Sequence, residues 1–400
     1  MATWSAEELS YCSNVHSGEA LSEVNENLQR FISPVIQERK LRKIQAGLWL
    51  SNEAATELTT TKANRQAFAE LLKILGIRLT SLNGFPYGNF HENVVKEQVY
   101  LPHWGDKARL DYTLRLAKLL AEFSPDDCFE CTISTLPLGF ASDWSIKNQQ
   151  SAELHFRALL LALIELEQNT GKRIRVCLEM EPGCVLETTP QLIRFFTETL
   201  PFALASYGIS EKVINRYLGI CYDICHQAVM FEDIEASLEA IYQAGIVIGK
   251  IQVSSALRVT NATKATSLLE HYTEPRYLHQ LSVLDKQGKQ HFCSDLCLAL
   301  ANNDYSLDAE WRVHFHVPIQ VEQLNSPLLS TTRNAIELTC RFLAAHPTLK
   351  PHLEVETYTW GVMPNAIRPT SDTLLIKAIA EELNWLETTL KNFNLFSRKD

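Results

Sequence analysis

Two short runs of the sequence place acidic and imidazole side chains at the end of an apolar stretch. Residues 220–228 read ICYDICHQA and include Asp223 and His226, while residues 176–182 read VCLEMEP and include Glu181. A buried strand normally excludes such side chains unless something compensates for their loss of water. A divalent metal ion is one such compensation, because it binds carboxylates and imidazoles directly. If a metal is the reason, other strands should end in the same way.

Other apolar runs do end in polar side chains. In LEVETYTW, at 353–360, period-two alternation puts Glu354 and Glu356 on one face, as it does Glu179 and Glu181 in the earlier run. Carboxylates that converge on one opening repel one another and need a cation. Mixed oxygen and imidazole donors suit Mn²⁺, Zn²⁺, Co²⁺ or Fe²⁺ better than Ca²⁺ or a structural zinc. The other polar strand ends are Asn14, His16, Asn83, His91, Gln252, Arg258, His314 and His316.

Each of these residues also has a reading without a metal. Asp223 and His226 can form a hydrogen bond with each other, and a carboxylate at a strand end often caps the following helix. Arg258 can pair with a carboxylate at the mouth, and His316 can be a neutral imidazole bonded to loop backbone. These alternatives stay open at the level of sequence.

The elements that must position these residues alternate along the chain. Short runs rich in Ile, Val, Leu and Cys are each followed by a segment with helical spacing, which predicts parallel strands with helical crossovers. The predicted strands are 9–16, 45–51, 76–83, 129–136, 173–181, 217–226, 246–255 and 353–358. The predicted helices are 21–43, 61–75, 109–123, 146–170, 190–207, 234–244, 328–345 and 372–391.

This pattern predicts a single (β/α)₈ barrel domain over residues 1–400, with an inserted β-hairpin and strand region between strands 7 and 8. The run at 311–319 is a ninth candidate strand, and we assign it to an insertion at about 273–327 because a full helix precedes 353–358. Catalytic groups of such barrels project from the carboxyl ends of the strands, where the polar residues lie. A doubly wound open sheet is the alternative, but no glycine-rich phosphate loop follows the first strand.

Composition limits the partners. The chain has 37 basic and 47 acidic side chains and a net charge of −10, which opposes binding to nucleic acid or anionic membranes. The N-terminal MATWSAEELSY lacks the features of a secretory signal, and no apolar run is long enough to span a bilayer, so we expect a cytoplasmic protein without membrane insertion.

For the pair Cys128 and Cys131, a packing role is favoured over redox or metal chemistry, because no second CxxC follows.

The run LGICYDICHQAVMFED resembles the xylose-isomerase-like superfamily of sugar isomerases and epimerases. The resemblance implies a divalent ion held by Glu181, Asp223, Glu356 and the position of Gln252, where the superfamily has histidine. His316 could supply the missing imidazole, as an x-His element does in the apurinic endonucleases of the same superfamily. The resemblance also implies substrate contacts from His226 and Arg258.

Longer segments are similar to the EboE family of metabolite-traffic proteins. The similarity covers nearly the whole chain and implies a small-molecule metabolite, a role in moving secondary-metabolite precursors, and protein partners from the same gene cluster. The segments are YCSNVHSGE, NGFPYGNFH, STLPLGF, EPGC, YDICHQAVMFED, QVSSALR, HFHVPI and HLEVETYTW.

We therefore predict a metal-dependent isomerase or epimerase that acts on a small hydroxy-carbonyl metabolite, with Glu181 and Glu356 as the catalytic acid and base. A barrel that binds or escorts a metabolite without catalysis is the second hypothesis, and a metal-dependent phosphoester hydrolase is the third. The predicted metal ligands are Glu181, Asp223, Gln252, His316 and Glu356. The predicted substrate-binding residues are His226, Arg258, His16, Asn83, His91, His314 and Trp360.

Overall fold

The structure is a computed structural model that describes residues 2–302, 305 and 308–397. Its strands fall into two sheets, one parallel and one antiparallel. In chain order they are β1 (Ser10–Tyr11), β2 (Ile44–Trp49), β3 (Ile77–Asn83), β4 (Glu130–Thr135), β5 (Arg173–Glu179), β6 (Leu218–Asp223), β7 (Ile248–Val253), β8 (Ala256–Val259), β9 (Leu281–Leu284), β10 (Gln290–Cys293), β11 (Glu310–His316), β12 (Leu329–Thr331) and β13 (His352–Val355).

The parallel strands close into a barrel. Within the described residues, eight strands pair in the order β1-β13-β7-β6-β5-β4-β3-β2. A parallel bridge between Cys12 and Gly47 joins the chain just after β1 to β2 and so closes the ring. The predicted (β/α)₈ barrel is therefore confirmed, with β13 as its eighth strand.

Helices surround the barrel, and most begin at a residue whose side chain accepts a backbone N–H, as Ser51, Thr61 and Ser145 do. None of the described helices is sufficiently long and apolar to cross a membrane. The helices are α1 (Leu21–Asn27), α2 (Ser33–Glu38), α3 (Asn52–Thr60), α4 (Lys62–Ile74), α5 (Lys107–Phe123), α6 (Ile146–Thr170), α7 (Thr189–Arg194), α8 (Leu200–Ala205), α9 (Glu211–Tyr217), α10 (Ile224–Val229), α11 (Ile234–Gln243), α12 (Ala262–Leu269), α13 (Leu296–Ala301), α14 (Asn334–Ala345) and α15 (Asp372–Asn392).

The second sheet lies between β7 and β13 in the chain. Its described strands are antiparallel and pair in the order β10-β9-β11-β8-β12. The predicted run 311–319 is β11 of this sheet, and the predicted hairpin is β9 with β10. The sheet extends beyond the predicted 273–327, because β8 and β12 pair with each other across the base of the insertion.

All eight barrel strands are shorter than predicted, and two of the differences matter most for the site. The prediction gave 9–16, but β1 ends at Tyr11 and a 3₁₀ turn follows at Ser13–Val15. The prediction gave 217–226, but β6 ends at Asp223, whose Oδ1 accepts the backbone N–H of His226 at 3.0 Å. This cap starts α10, so His226 lies in the first turn of a helix rather than in a strand.

The interior of the barrel contains a buried ion pair. Lys250 Nζ lies 2.7 Å from Glu354 Oε1, and both side chains are fully buried. The other carboxylate oxygen, Oε2, lies 3.1 Å from His352 Nε2. A Cβ atom added to Gly47 would lie 1.2 Å from that same Glu354 Oε2, so only glycine leaves room for this carboxylate. Glu354 is therefore neutralised inside the barrel by Lys250.

We expect Gly47→Ala to displace the Glu354 carboxylate. The ammonium group of Lys250 would then be a buried charge without its partner. Loss of one partner of a buried pair costs about 3–5 kcal/mol of unfolding free energy, which urea denaturation would measure. Gly361→Ala is the control, because a Cβ there meets no atom within 4 Å. Equal stability of the two variants would contradict this account of the interior.

A second buried carboxyl group lies on the outer helix α15. Glu382 accepts hydrogen bonds from Thr357 Oγ1 at 2.6 Å and from Trp360 Nε1 at 2.9 Å. Burial is the largest influence and raises the pKa of Glu382 to about 7, although these hydrogen bonds act in the opposite direction. The folded protein therefore retains a proton here that the unfolded chain releases near its ordinary pKa of 4.5.

Because the folded state binds the extra proton, this group stabilises the fold fully below pH 4.5 and loses its contribution as the pH rises to about 7. The loss amounts to about 3 kcal/mol at 1.36 kcal/mol per pKa unit. We expect Glu382→Gln to flatten the pH dependence of unfolding between pH 4.5 and 7.5. The control is Glu381→Gln, on the exposed side of α15. Its urea midpoint should change with pH as steeply as that of the wild-type protein. An unchanged slope in the Glu382 variant would disprove the assignment.

Candidate active site

A cavity opens at the carboxyl ends of the barrel strands, beside the inserted sheet. It contains about 520 Å³ of space free of atoms, its open mouth included. Its floor is polar and its walls are largely apolar. The lining residues are Asn14, Asn83, Phe85, Pro86, Phe90, Val95, Lys96, Val99, Tyr100, Glu179, Glu181, His226, Tyr277, Leu278, His314, Glu356 and Tyr358.

Three buried imidazoles meet at this end of the barrel, and two of them, His226 and His314, line the cavity. His226 comes from the first turn of α10, and His314 and His316 lie on one face of β11 because alternate strand residues point the same way. The distance between Nε2 of His226 and Nε2 of His314 is 3.1 Å. Nε2 of His314 lies 3.3 Å from Nε2 of His316. The barrel and the inserted sheet thus contribute to one cluster.

The other ring nitrogen of each imidazole contacts an oxygen that only accepts hydrogen bonds. Nδ1 of His226 contacts the Met180 carbonyl at 2.7 Å, and Nδ1 of His316 contacts the Glu356 carbonyl at 2.6 Å. Nδ1 of His314 contacts Gln280 Oε1 at 2.8 Å.

Each Nδ1 must therefore carry a hydrogen, and a neutral imidazole has only one. The orientation of the Gln280 amide is fixed because its Nε2 donates to Tyr100 Oη, Glu181 Oε1 and the Pro182 carbonyl. In their neutral forms the three Nε2 atoms therefore present lone pairs to one another at 3.1–3.3 Å. Second-sphere acceptors of this kind orient metal-binding histidines.

Burial opposes a charge on His226, but Asp223 and Glu181 outweigh it and raise the pKa of that imidazole. A positive charge, from a proton or a metal ion, is therefore favoured at its Nε2.

Carboxylates complete the donor set. Oε2 of Glu181 lies 3.1 Å from Nε2 of His226, and Oδ2 of Asp223 lies 3.8 Å from the same nitrogen. Oδ1 of Asp223 accepts the Ser254 hydroxyl at 2.8 Å, whereas the buried Oδ2 accepts no hydrogen bond from the described residues. Lone pairs and unsatisfied anionic oxygens facing one point fit a divalent cation.

A second group of carboxylates adjoins the imidazoles. Oxygen atoms of Glu179, Asp223 and Glu356 lie within 4.8 Å of one another, and Glu179 Oε2 is buried without a hydrogen-bond partner among the described residues. Asn14 and Asn83 donate to Glu356 Oε1 at 2.8 Å and 3.1 Å. These amides fix one oxygen of Glu356 at the cavity.

Burial and mutual repulsion alter the acidity of these groups in the protein alone. Burial, with help from Asp223, raises the pKa of Glu356 to about 8. Burial also raises the pKa of Glu179 far above its ordinary range, and Glu356 adds to this effect. It lowers the pKa of His316 to about 4, which keeps that imidazole neutral. The cluster without a cation therefore resists full ionisation of its carboxyl groups.

Gln252, a predicted ligand, lies on β7 beside Asp223 in the register of the sheet. Its side-chain amide oxygen and nitrogen are both buried and have no hydrogen-bond partner among the described residues. It is not among the residues that line the cavity. Its role as a ligand stays a prediction.

The predicted substrate-binding residues divide into two groups. Asn83, His226 and His314 line the cavity. Four others do not line it, because each packs against different partners. Arg258 pairs with Glu310 at 2.8 Å, Trp360 donates to Glu382, His16 stacks on Phe31 and contacts the Tyr11 hydroxyl, and His91 packs against Trp49.

Two residues at the site were missed. Tyr100 donates to Glu181 Oε1 at 2.8 Å from a 3₁₀ turn at Lys96–Tyr100, and Gln280 donates to the same oxygen at 3.2 Å from just before β9. They are separated from Glu181 by 81 and 99 residues in the chain. No local spacing connects them to the site, so sequence patterns offered no signal for either.

No protein-family model matches the chain. No curated protein matches it either. Solved structures that resemble it include the apo form of 3-keto-D-glucoside 4-epimerase from E. coli, at 12% identity, 95% coverage of this chain, 99% coverage of that chain and a TM-score of 0.46. D-psicose 3-epimerase in the presence of D-fructose is 11% identical, with 96% of this chain and 99% of that chain covered and a TM-score of 0.48. The IOLI protein with a binding zinc atom is 11% identical, with 98% of this chain and 99% of that chain covered and a TM-score of 0.46.

Identities and TM-scores this low carry no argument about chemistry. The fold is established by the strand order and by the closing bridge, and the site by the contacts described above.

We expect Asp223→Asn to lower the affinity for a divalent ion by at least ~10-fold, the range in which changes around metal ligands act. The amide retains an oxygen to cap α10, so helix content by circular dichroism should stay near wild type. Elemental analysis after dialysis measures the bound metal. His346→Ala, at the end of the outer helix α14, is the control. Metal binding unchanged in Asp223→Asn would remove Asp223 from the ligand set.

Proposed function

We propose that the protein is a metal-dependent isomerase or epimerase that acts on a small hydroxy-carbonyl metabolite. The observation that carries the proposal is the group of three imidazole Nε2 atoms that face one another, with two carboxylates, beside the cavity at the carboxyl ends of the barrel strands. Such a group needs a cation, and the cavity gives a ligand access to it.

The ion would be held by the three imidazoles together with Glu181 and Asp223. This set differs from the one predicted from sequence, because His226 and His314 join it as ligands while Gln252 and Glu356 are left out of it. The mixed N and O donors suit Mn²⁺, Zn²⁺, Co²⁺ or Fe²⁺. When bound, such an ion supplies Lewis-acid polarisation of adjacent substrate oxygens.

Glu356 and Glu181 would move the proton between the substrate carbon and the protein. Both line the cavity, and each is oriented through one oxygen: Glu356 by Asn14 and Asn83, and Glu181 by Tyr100. Glu356 keeps its other oxygen for proton exchange. Glu181 would exchange its proton at Oε2, which is also the oxygen that would face the ion. A positioned acid and base of this kind invert or shift a stereocentre.

The walls of the cavity favour a substrate with a ring or apolar portion next to its polar groups. Phe85, Tyr277 and Tyr358 present aromatic surface, and Leu278 and Val99 present aliphatic surface. Contact with such walls excludes water from the polar floor, which strengthens every charge interaction there.

The proposed setting is metabolite traffic, because the long sequence segments are similar to EboE proteins. In that setting the protein acts in the cytoplasm on a precursor of a secondary metabolite, and proteins of the same gene cluster are its partners. Sequence similarity alone supports this part of the proposal.

Solvent deuterium incorporation tests the reaction. Metal-loaded protein is incubated in D₂O with a panel of keto sugars and hydroxy ketones, and exchange at the carbon beside the carbonyl is followed by NMR. Glu356→Gln keeps an oxygen for Asn14 and Asn83 but cannot take a proton, so exchange should fall by about 10²–10⁴ while metal content is unchanged.

Three outcomes would contradict the proposal. Tight binding of a panel compound without exchange would favour a non-catalytic carrier. Two or three metal atoms per chain with phosphoester hydrolysis would favour a hydrolase. Exchange that persists in Glu356→Gln would show that another group moves the proton.

A further inference from the structure

A pair of thiols lies at the opposite end of the barrel from the imidazole cluster. Cys128 precedes β4 and Cys131 is the second residue of that strand, so both lie at the amino-terminal end of the barrel. Their sulfur atoms are 3.5 Å apart, and both cysteines are reduced. Most of the remaining cysteines are buried.

The two thiols differ in access. Cys128 is half-buried and lines a second cavity with about 630 Å³ of space free of atoms, whereas Cys131 is buried behind it. The polar and charged residues around this cavity include Gln45, Glu130, Lys350 and His352. A small solute can therefore reach one sulfur of the pair and not the other.

The surroundings favour a reactive Cys128. A hydrogen bond from the Cys131 thiol, with Lys172 nearby, lowers the pKa of Cys128 to about 7. Lys172 Nζ is held beside it by a 2.9 Å hydrogen bond to the Cys128 carbonyl. A thiolate is the form of cysteine that attacks a disulfide. Among the described residues, neither cysteine belongs to a group of three possible metal ligands, so a metal role has no support here.

We propose that Cys128 and Cys131 form a redox-active dithiol that exchanges with low-molecular-weight disulfides entering the amino-terminal cavity. The accessible sulfur lies on that cavity, and its partner waits in contact behind it. This assigns Cys128 the role of attacking thiol and Cys131 the role of resolving thiol. The site is independent of the proposed isomerase chemistry.

The exchange balances in two steps. The Cys128 thiolate attacks one sulfur of a small disulfide RS–SR, forming a Cys128–SR mixed disulfide and releasing RS⁻. Cys131 then loses its proton to RS⁻ and attacks Cys128 Sγ, which breaks the mixed disulfide and releases a second thiolate. The protein loses two electrons to the small disulfide, which is reduced to two thiols.

The test uses the full-length protein in glutathione buffers of graded ratio of disulfide to thiol. After rapid alkylation, peptide mass mapping measures each cysteine. We expect a reversible Cys128–Cys131 disulfide to appear, with a single midpoint. The exposed Cys297 is the internal control and should form only a mixed disulfide.

Variants separate the two roles. Cys131→Ser should accumulate the glutathione adduct on Cys128, because no thiol remains to resolve it, and Cys128→Ser should leave Cys131 reduced. Cys297→Ser should leave the midpoint of the pair unchanged. The proposal is overturned if the wild-type pair stays reduced in buffers that already modify Cys297, or if oxidation links two chains instead. The wild-type measurement decides the matter even where a variant fails to fold.

Discussion

The arrangement of this molecule depends on three imidazole Nε2 atoms that face one another in a buried place beside carboxylates. Each nitrogen is fixed by an acceptor on the far side of its ring, at Met180, Gln280 and the Glu356 carbonyl. These acceptors belong to the connection after β5, the inserted sheet and the segment after β13. A cation between the rings would offset a repulsion that otherwise separates these three parts. Lower in the barrel, Lys250 and Glu354 meet the same electrostatic requirement without an ion.

Much of the barrel could be predicted, because the alternation of apolar runs and helical spacing reflects burial, and burial decides which strands form. The end of β6 could not be predicted from that pattern. Asp223 both ends a strand and caps a helix, and the two residues that follow it, Ile224 and Cys225, are apolar and fit either element. The extent of the inserted sheet was also underestimated. Its strands β8 and β12 are short. They gain their stability from pairing, β12 with β8 and β8 also with β11, which is information that no local window contains.

The candidate site was predictable where residues share a strand or a strand end. Glu181, Asp223 and Glu356 follow parallel strands, and His314 and His316 share a face of β11, so their convergence follows from topology and alternation. Tyr100 and Gln280 reach Glu181 only through the folded chain. Arg258 illustrates the opposite case. The sequence resemblance predicted that it contacts substrate in the cavity, but its guanidinium forms an ion pair with Glu310 on the neighbouring strand. Which of several nearby groups a charged side chain binds depends on tertiary contacts, and a sequence pattern does not contain them.

The inserted sheet also determines which part of the chain supplies the nitrogen donors of the cluster. Because β11 brings His314 and His316 beside His226, β7 contributes the amide of Gln252 and no imidazole. Exchange of residues 256–331 for a short loop would leave a closed barrel that keeps only His226 of the three. The barrel therefore carries the fold, whereas the complete cluster exists only when a second, antiparallel sheet docks beside it.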